Sequence, residues 1–108
     1  MVEYALNLDS IFGSLADPTR RDILRRVTND ELSVGEIAKS YDLTFAAISK
    51  HLKVLEKAQL IIKRRRGKEQ MISLAPRALA DAAEYLQWYQ QFMDQKYDSL
   101  EKYLNKED

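Results

Sequence analysis

The sequence predicts a mostly α-helical fold with a small β-hairpin, and three observations support this class. Apolar residues recur at helical spacing over most of the 108 residues. Residues 60–74 are instead β-prone on both sides of a glycine. A seven-residue apolar repeat then runs through the last third of the chain. The predicted element order is α-α-α-α-β-β-α within a single domain, residues 1–108.

Two helices are expected before residue 31. The first covers residues 5–16, where the apolar positions at i, i+3, i+4 and i+7 are Leu8, Ile11, Phe12 and Leu15. The second begins after Asp17, a favourable N-cap, with Pro18 in its first turn. Its core-facing residues are expected to be Ile23, Leu24 and Val27. Its solvated residues are expected to be Arg20, Arg21, Arg25 and Arg26.

A helix-turn-helix is expected over about residues 33–58. Ser33 and Glu36 have the spacing of a capping box at the start of its first helix. Thr44 is a suitable N-cap for the second helix. The inward face of the second helix is expected to carry Ala47, Ile48, Leu52 and Leu55. Its outward face carries Phe45, Ala46, Ser49, Lys50 and Lys53, which suits base edges first and phosphates alongside.

Residues 60–74 predict a hairpin, or wing, whose turn needs the positive φ that Gly67 supplies. Cations occupy every position from Lys63 to Arg66, and Lys68 follows the turn. Because a strand alternates faces, these four consecutive side chains cannot all point one way. The alternative role for the charges is to protect an edge strand from aggregation.

A long final helix is expected over about residues 76–104. Its seven-residue repeat consists of Leu79, Leu86, Met93 and Leu100. A second stripe consists of Tyr85, Trp88 and Phe92. The combined apolar arc is wider than one partner helix needs, so one side is expected to meet a second copy of the chain. Two alternatives remain: the helix folds back onto its own core, or the aromatic residues line a ligand pocket.

The charges are segregated along the chain although the net charge is zero. Residues 44–77 hold nine Lys and Arg against two Asp and Glu, whereas both flanking segments are net negative. This pattern favours a nucleic-acid surface confined to one face, with a solvated basic patch as the alternative. No apolar run approaches a membrane span and no cysteine is present, which suggests a cytoplasmic protein.

The order helix, helix, helix-turn-helix, hairpin, helix is that of a winged helix-turn-helix. Three motifs are more specific: residues 15–21 (LADPTRR), residues 48–55 (ISKHLKVL) and the basic hairpin. Together they resemble the ArsR/SmtB family of bacterial winged-helix repressors over about residues 10–75. The resemblance implies a homodimer built from the first and last helices, a two-fold symmetric DNA site and repression of transcription.

The sequence departs from the metal-sensing members of that family. Where those members carry cysteines, this chain has Ser33 and Gly35, so a thiolate site cannot form there. The last helix holds Asp81 and Glu84 but no histidine, which would make a poor zinc site. We therefore expect a metal-independent regulator without a cofactor. No nucleophile, phosphate loop or metal cluster indicates an enzyme.

His51 is the chain's one histidine and could serve as a ligand, a catalytic base or a pH switch. A structural or phosphate-contacting role is favoured, because the chain has no cysteine and no carboxylate is expected to converge on this histidine.

The main hypothesis is a repressor that binds double-stranded DNA as a homodimer. The expected DNA contacts are Thr44, Phe45, Ala46, Ser49, Lys50, His51, Lys53, Arg64, Arg65, Arg66 and Lys68. The expected dimer contacts are Leu8, Ile11, Phe12, Leu86, Tyr89, Met93, Tyr97 and Leu100. The rival hypothesis is a winged-helix protein–protein adaptor that uses the aromatic last helix. A repressor with an unknown small-molecule or protein inducer is also compatible with this sequence.

Overall fold

The computed structural model describes residues 2–106 of the chain, with side chains from Asn7 onward. Positions 1, 107 and 108 of the predicted 1–108 domain lie outside the described residues. The elements are α1 (Val2–Ser14), α2 (Pro18–Asn29), β1 (Leu32–Ser33), α3 (Val34–Lys39), α4 (Phe45–Lys57), β2 (Ile61–Arg66), β3 (Glu69–Leu74) and α5 (Pro76–Lys106). This is the predicted winged helix-turn-helix with a long last helix, so the fold class is confirmed.

The three predicted N-caps are present, and each fixes where a helix begins. Asp17 Oδ2 accepts a hydrogen bond from the Arg20 N–H at 3.0 Å, one residue before Pro18 opens α2. Ser33 and Glu36 exchange two hydrogen bonds of 3.1 Å at the start of α3, which is the predicted capping box. Thr44 Oγ1 accepts from the N–H of Ala47 at 3.1 Å and starts α4.

The sheet has three antiparallel strands in the order β1-β3-β2, whereas the sequence predicted only the hairpin. The extra strand pairs Leu32 with Ile72 and Ser33 with Met71. Two residues are too few to show an alternating pattern, and Ser33 is at the same time the N-cap of α3. The strand therefore joins the base of the wing to the start of the helix-turn-helix.

The core lies between the helices and the inner face of the sheet. Its fully buried large residues are Ile11, Ile23, Ile37, Ile48, Leu52, Leu55, Leu60 and Ile72. They come from α1, α2, α3, α4 and the sheet, so the core fixes α4 relative to the wing. The buried residues of α5 are Ala78 and Ala82, both in its first two turns. No helix within residues 2–106 combines the length and apolar content that crossing a membrane requires.

A Schellman motif ends α4 and directs the chain into β2. Gln59 adopts a positive φ of 60°. The Leu60 N–H donates to the Leu55 carbonyl at 3.0 Å, and the Gln59 N–H donates to the Glu56 carbonyl at 2.9 Å. Leu55 and Leu60 are both buried, which supplies the apolar contact typical of this motif. The wing thus begins immediately after α4.

Candidate nucleic-acid interface

One cleft joins the predicted recognition helix to the predicted wing. We call it the wing cleft; its lining residues are Ser33, Val34, Gly35, Phe45, Ser49, Leu52, Lys53, Lys63, Lys68, Glu69 and Gln70. They come from the start of α3, the outward face of α4 and the hairpin. Ser49 and Lys53 also line an adjoining shallow depression on α4, together with Thr44, Ala46, Ala47 and Lys50. The outward residues of α4 and part of the wing therefore form one continuous surface.

The alternation of the hairpin divides its cations between two faces, as the sequence predicted. Lys63 lies opposite Ile72 and Arg65 opposite Gln70, whereas Arg64 lies opposite Met71 and Arg66 opposite Glu69. Since paired residues share a face, Lys63 and Arg65 lie on the core-facing side and Arg64 and Arg66 on the other. The turn itself contains Gly67, with a φ of +63° as expected, and Lys68.

Arg64 lies away from the wing cleft. Its Nη2 and Nε donate to Glu31 Oε1 at 2.5 Å and to Oε2 at 3.2 Å, a bidentate pair on the outer face of the sheet. The hydrogen bond and charge of Arg64 lower the pKa of the Glu31 carboxyl. Part of the charge of Arg64 is therefore already neutralised, unlike a cation aimed at solvent.

The cations on the wing cleft and on the adjoining depression differ in how they are paired. Lys63 Nζ lies 3.4 Å from Glu56 Oε1 on α4, an ion pair that helps hold the hairpin against this helix. Among the described residues, neither Lys53, Lys50 nor Lys68 has a carboxylate within ion-pair distance. These three charges remain available to a phosphate backbone. Glu69 also lines the cleft and adds one carboxylate to it.

His51 faces the start of α2 and lies outside both depressions. Its Nδ1 is 3.3 Å from Arg20 Nη1 and 3.9 Å from Asp17 Oδ2. Arg20 also donates from Nε to the Ser14 carbonyl at 2.6 Å and from Nη2 to the Gly13 carbonyl at 3.4 Å. The guanidinium thus binds the last carbonyls of α1 and the imidazole of α4 together. The prediction that Arg20 is simply solvated is wrong, because these acceptors surround it.

Asp17 belongs to the same cluster. Its backbone hydrogen bond from Arg20 is the main cause that lowers the pKa of this carboxyl, and the charge of His51 acts in the same direction. The carboxylate is therefore charged while it caps α2. Because His51 is half-buried among these groups, the arrangement supports the structural role for this residue.

A second polar cluster ties α2 to the segment after α3. The Tyr41 hydroxyl donates to Asp22 Oδ2 at 2.5 Å, and Arg26 lies 3.2 Å from the same oxygen. Arg26 also donates to Ser40 Oγ at 2.7 Å and lies 5.2 Å from the ring centroid of Tyr41. These contacts fix the turn that precedes α4.

Sequence reasoning missed several residues of the wing cleft, among them Lys63 and Gln70 of the hairpin. Lys63 stands in the cationic run, but only the strand register puts it on the cleft face. Gln70 carries no signal of its own, and its place follows from pairing with Arg65 across the hairpin. Among the described residues, no group of three or more His, Cys, Asp or Glu side chains is arranged to hold a metal ion.

The predicted dimer residues fall into two groups. Leu8 and Ile11 are buried inside the chain, and Ile11 is a core residue with none of its surface exposed. Because so little of their surface is exposed, these two residues are removed from the set of predicted dimer contacts. The exposed group consists of Phe12, Leu86, Tyr89, Met93, Tyr97 and Leu100. Phe12 contacts the ring of Tyr85 on α5, with centroids 6.1 Å apart.

The chain is similar to several transcriptional regulators. A family model described as a helix-turn-helix domain matches residues 15–64, from the end of α1 to the middle of the first wing strand. The HTH-type transcriptional regulator Rv2034 of Mycobacterium tuberculosis is 40% identical over 72 residues, which are 67% of this chain and 67% of the relative. The transcriptional repressor SdpR of Bacillus subtilis is 30% identical over 79 residues, which are 73% of this chain and 88% of the relative.

A solved structure extends the likeness to three dimensions. The crystal structure of the ArsR family transcriptional regulator RHA00566 matches with a TM-score of 0.77 and 28% identity, over 83% of this chain and 93% of that one. The chain belongs to the ArsR/SmtB family of winged helix-turn-helix transcriptional regulators.

Proposed function

We propose that this regulator is a metal-independent repressor that binds a two-fold symmetric operator as a homodimer. Each protomer inserts α4 into a major groove and lays the hairpin tip along the neighbouring backbone or minor groove. The observation that carries the proposal is the wing cleft, which brings Ser49 and Lys53 of α4 together with Lys68 of the wing. A helix with cations on one side and a basic loop beside it matches the shape and charge of a duplex.

The proposed contacts serve two purposes. Thr44, Phe45, Ala46 and Ser49 begin the outward face of α4 and would approach base edges. The proposed phosphate contacts are Lys50, Lys53, Arg65, Arg66 and Lys68, with Arg64 restrained by Glu31. His51 contributes indirectly in this proposal, because its contact with Arg20 holds α4 against α2.

A homodimer accounts for the exposed length of α5. Beyond Ala82, this helix continues for more than 20 residues along which every side chain to Lys106 is exposed. The seven-residue apolar repeat through Leu86, Met93 and Leu100 lies on this uncovered part. A second copy would bury the repeat and hold two α4 helices about one helical turn of DNA apart, or a multiple of it.

Metal independence rests on the available donors. The sequence has no cysteine, and its one histidine lies beside the Arg20 guanidinium. A soft-metal site needs thiolates, and a zinc site commonly needs imidazoles. We therefore propose that the inducer is a small molecule or a protein of unknown identity.

Selection of bound duplexes from a random pool tests this function. The expected result is an enriched site with two-fold symmetry, bound with an affinity that falls steeply with salt and is indifferent to chelators. Failure to enrich any sequence, or binding that ignores salt, would contradict the proposal. A duplex carrying one half-site should bind far more weakly than the full site, because it engages one protomer only.

The adaptor alternative is supported by one feature, the aromatic stripe on α5. Trp88 and Phe92 are exposed and stacked, with centroids 6.3 Å apart and rings 4° from parallel. A protein partner could bind this stripe without any DNA. A mobility-shift assay on the chain's own upstream region, with non-specific competitor DNA, separates the two functions, since an adaptor would give no sequence-specific shift.

A further inference from the structure

The outward face of α4 has an unusual side-chain chemistry for a helix that contacts bases. Its members in chain order are Thr44, Phe45, Ala46, Ser49, Lys50 and Lys53. None carries the amide that recognises adenine or the guanidinium that most often recognises guanine through two hydrogen bonds. The first turn offers apolar groups instead, and the cations follow one turn later. Hydrogen bonding to base edges from this turn is therefore limited.

Phe45 is the dominant apolar group on that turn. Its side chain is 63% exposed, although phenylalanine is among the residues most often buried. It lines the wing cleft together with Ser49 and Lys53, whereas Ala46 lines the adjoining depression. The hydroxyl oxygen of Thr44 accepts the N-cap hydrogen bond, and the methyl group of this side chain adds a further apolar group to the same turn. An exposed aromatic ring next to lysines is well placed to enter the groove that those lysines border.

We propose that Phe45, supported by Ala46, recognises thymine through its C5 methyl group, so that each half-site carries thymine opposite the first turn of α4. This inference rests on the proposed DNA-binding function. The thymine methyl is the apolar feature by which the major-groove edge of an A·T pair is recognised, and phenylalanine and alanine are side chains that contact it. Lys50 and Lys53 are assigned to phosphates in this proposal, and phosphate contacts contribute affinity without sequence preference.

Uracil substitution tests the proposal, because it removes only the methyl group. Thymines of the selected operator are replaced one at a time by uracil, and each duplex is titrated with wild type and with Phe45→Ala. Wild type should lose about four-fold in affinity at one or two thymines per half-site, the loss expected for one buried methyl group. Phe45→Ala should lose most of this discrimination at those positions, with the small remainder due to alanine side chains.

Two further variants control the result. Val54→Ala removes an exposed apolar side chain from the same helix outside both depressions, and it should discriminate against uracil as wild type does. Phe45→Leu keeps an apolar group and should retain part of the discrimination, which separates lost contact from altered folding.

Each outcome has a defined meaning. Operator binding that is indifferent to uracil at every position, or a Phe45→Ala variant that discriminates as strongly as wild type, would overturn the thymine proposal and leave DNA binding intact. Absence of any specific duplex binding by wild type would overturn the proposed function, and the thymine proposal with it.

Discussion

The imidazole of His51 on α4 lies against the guanidinium of Arg20 on α2, with Nδ1 and Nη1 3.3 Å apart. The same guanidinium binds the carbonyls of Ser14 and Gly13 at the end of α1. One side chain therefore connects three helices, including the one that carries the proposed base contacts. The position of α4 depends in part on a residue that is distant from it in the sequence.

Replacement of Arg20 by alanine should lower the free energy of unfolding by about 2 kcal/mol, because a charged donor is lost and the part-buried carbonyl of Ser14 loses its partner. Urea unfolding followed by circular dichroism measures the change. Arg25→Ala is the matched control, since Arg25 is exposed on the same helix and forms no hydrogen bond among the described residues. Equal effects of the two substitutions would contradict the bridging role of Arg20.

His51→Ala should weaken operator binding while chelators and added zinc change nothing. The imidazole lies outside the wing cleft, so the loss reflects a less firmly held α4 rather than a lost metal or catalytic group. The affinity for the selected operator, measured with and without a chelator, checks this. Unchanged affinity in the variant would refute the supporting role.

The Asp22–Tyr41 pair predicts a stability that depends on pH at the acid end. The hydrogen bond from Tyr41 is the main cause that lowers the pKa of the Asp22 carboxyl from its ordinary 3.8. A carboxyl whose pKa is lower in the folded than in the unfolded protein stabilises the fold at pH values above its unfolded-state pKa. This stabilisation is lost as the pH falls through the folded-state pKa. Tyr41→Phe should therefore be less stable than wild type near neutral pH, with a difference that shrinks below about pH 4. A difference that stays constant across this range would contradict the assignment.

The Asp22–Tyr41 pair also predicts how stability and tyrosinate absorbance change at high pH. Burial, followed by the hydrogen bond to Asp22, raises the pKa of Tyr41 from 10.0 to about 12. A hydroxyl whose pKa is raised by folding stabilises the fold at pH values below its unfolded-state pKa, near 10. This stabilisation is lost as the pH rises through the folded-state pKa. Tyrosinate absorbance should show a component near pH 12 in wild type that Tyr41→Phe lacks. An unchanged titration curve in the variant would show that another tyrosine is responsible.

The helix starts could be predicted from sequence because their causes are local. Asp17, Ser33 and Thr44 each accept a hydrogen bond from an N–H three residues on, a distance within one turn. The hairpin turn was equally local, since Gly67 alone supplies its positive φ. The outward face of α4 then followed from helical periodicity.

What sequence reasoning missed depends on distant contacts. Arg20 and His51 are 31 residues apart, and Glu31 and Arg64 are 33 apart, so neither pair has a local signal. The strand at Leu32 exists only because Ile72 lies opposite it. Likewise, no pattern along the chain shows which cations of the wing face α4, because that depends on the pairing register.

The pairing of Arg64 predicts unequal effects among the cations on DNA binding. Lys53→Ala should flatten the dependence of log affinity on log salt by about 0.9, the value for one phosphate contact. Arg64→Ala should flatten it by less than half as much, because Glu31 already neutralises part of that charge. Mobility-shift titrations at several salt concentrations compare the variants. A larger effect from Arg64 would mean that it leaves Glu31 when DNA binds.

Gln59 predicts a gain in stability. A non-glycine residue at a φ of 60° has its Cβ close to the following carbonyl, at a cost of about 1–2 kcal/mol. Gln59→Gly removes this strain, although it adds freedom to the unfolded chain, so the net gain should be about 0.5–1 kcal/mol. Thermal unfolding measures the gain. Gly67→Ala should lower the stability, because it places a Cβ on a residue with a φ of +63°. A loss of stability in Gln59→Gly would contradict the inference.

The exposed repeat on α5 predicts a dimer that a single charge disrupts. Met93 lies in the middle of the repeat, so Met93→Glu would put two carboxylates opposite each other in an apolar seam. Sedimentation equilibrium should show a dimer for wild type and a monomer for Met93→Glu, and the variant should bind the full operator no better than a half-site. Gln95→Glu adds the same charge to α5 outside the repeat and should remain dimeric. A dimer that survives Met93→Glu would place the contact between copies elsewhere on the chain.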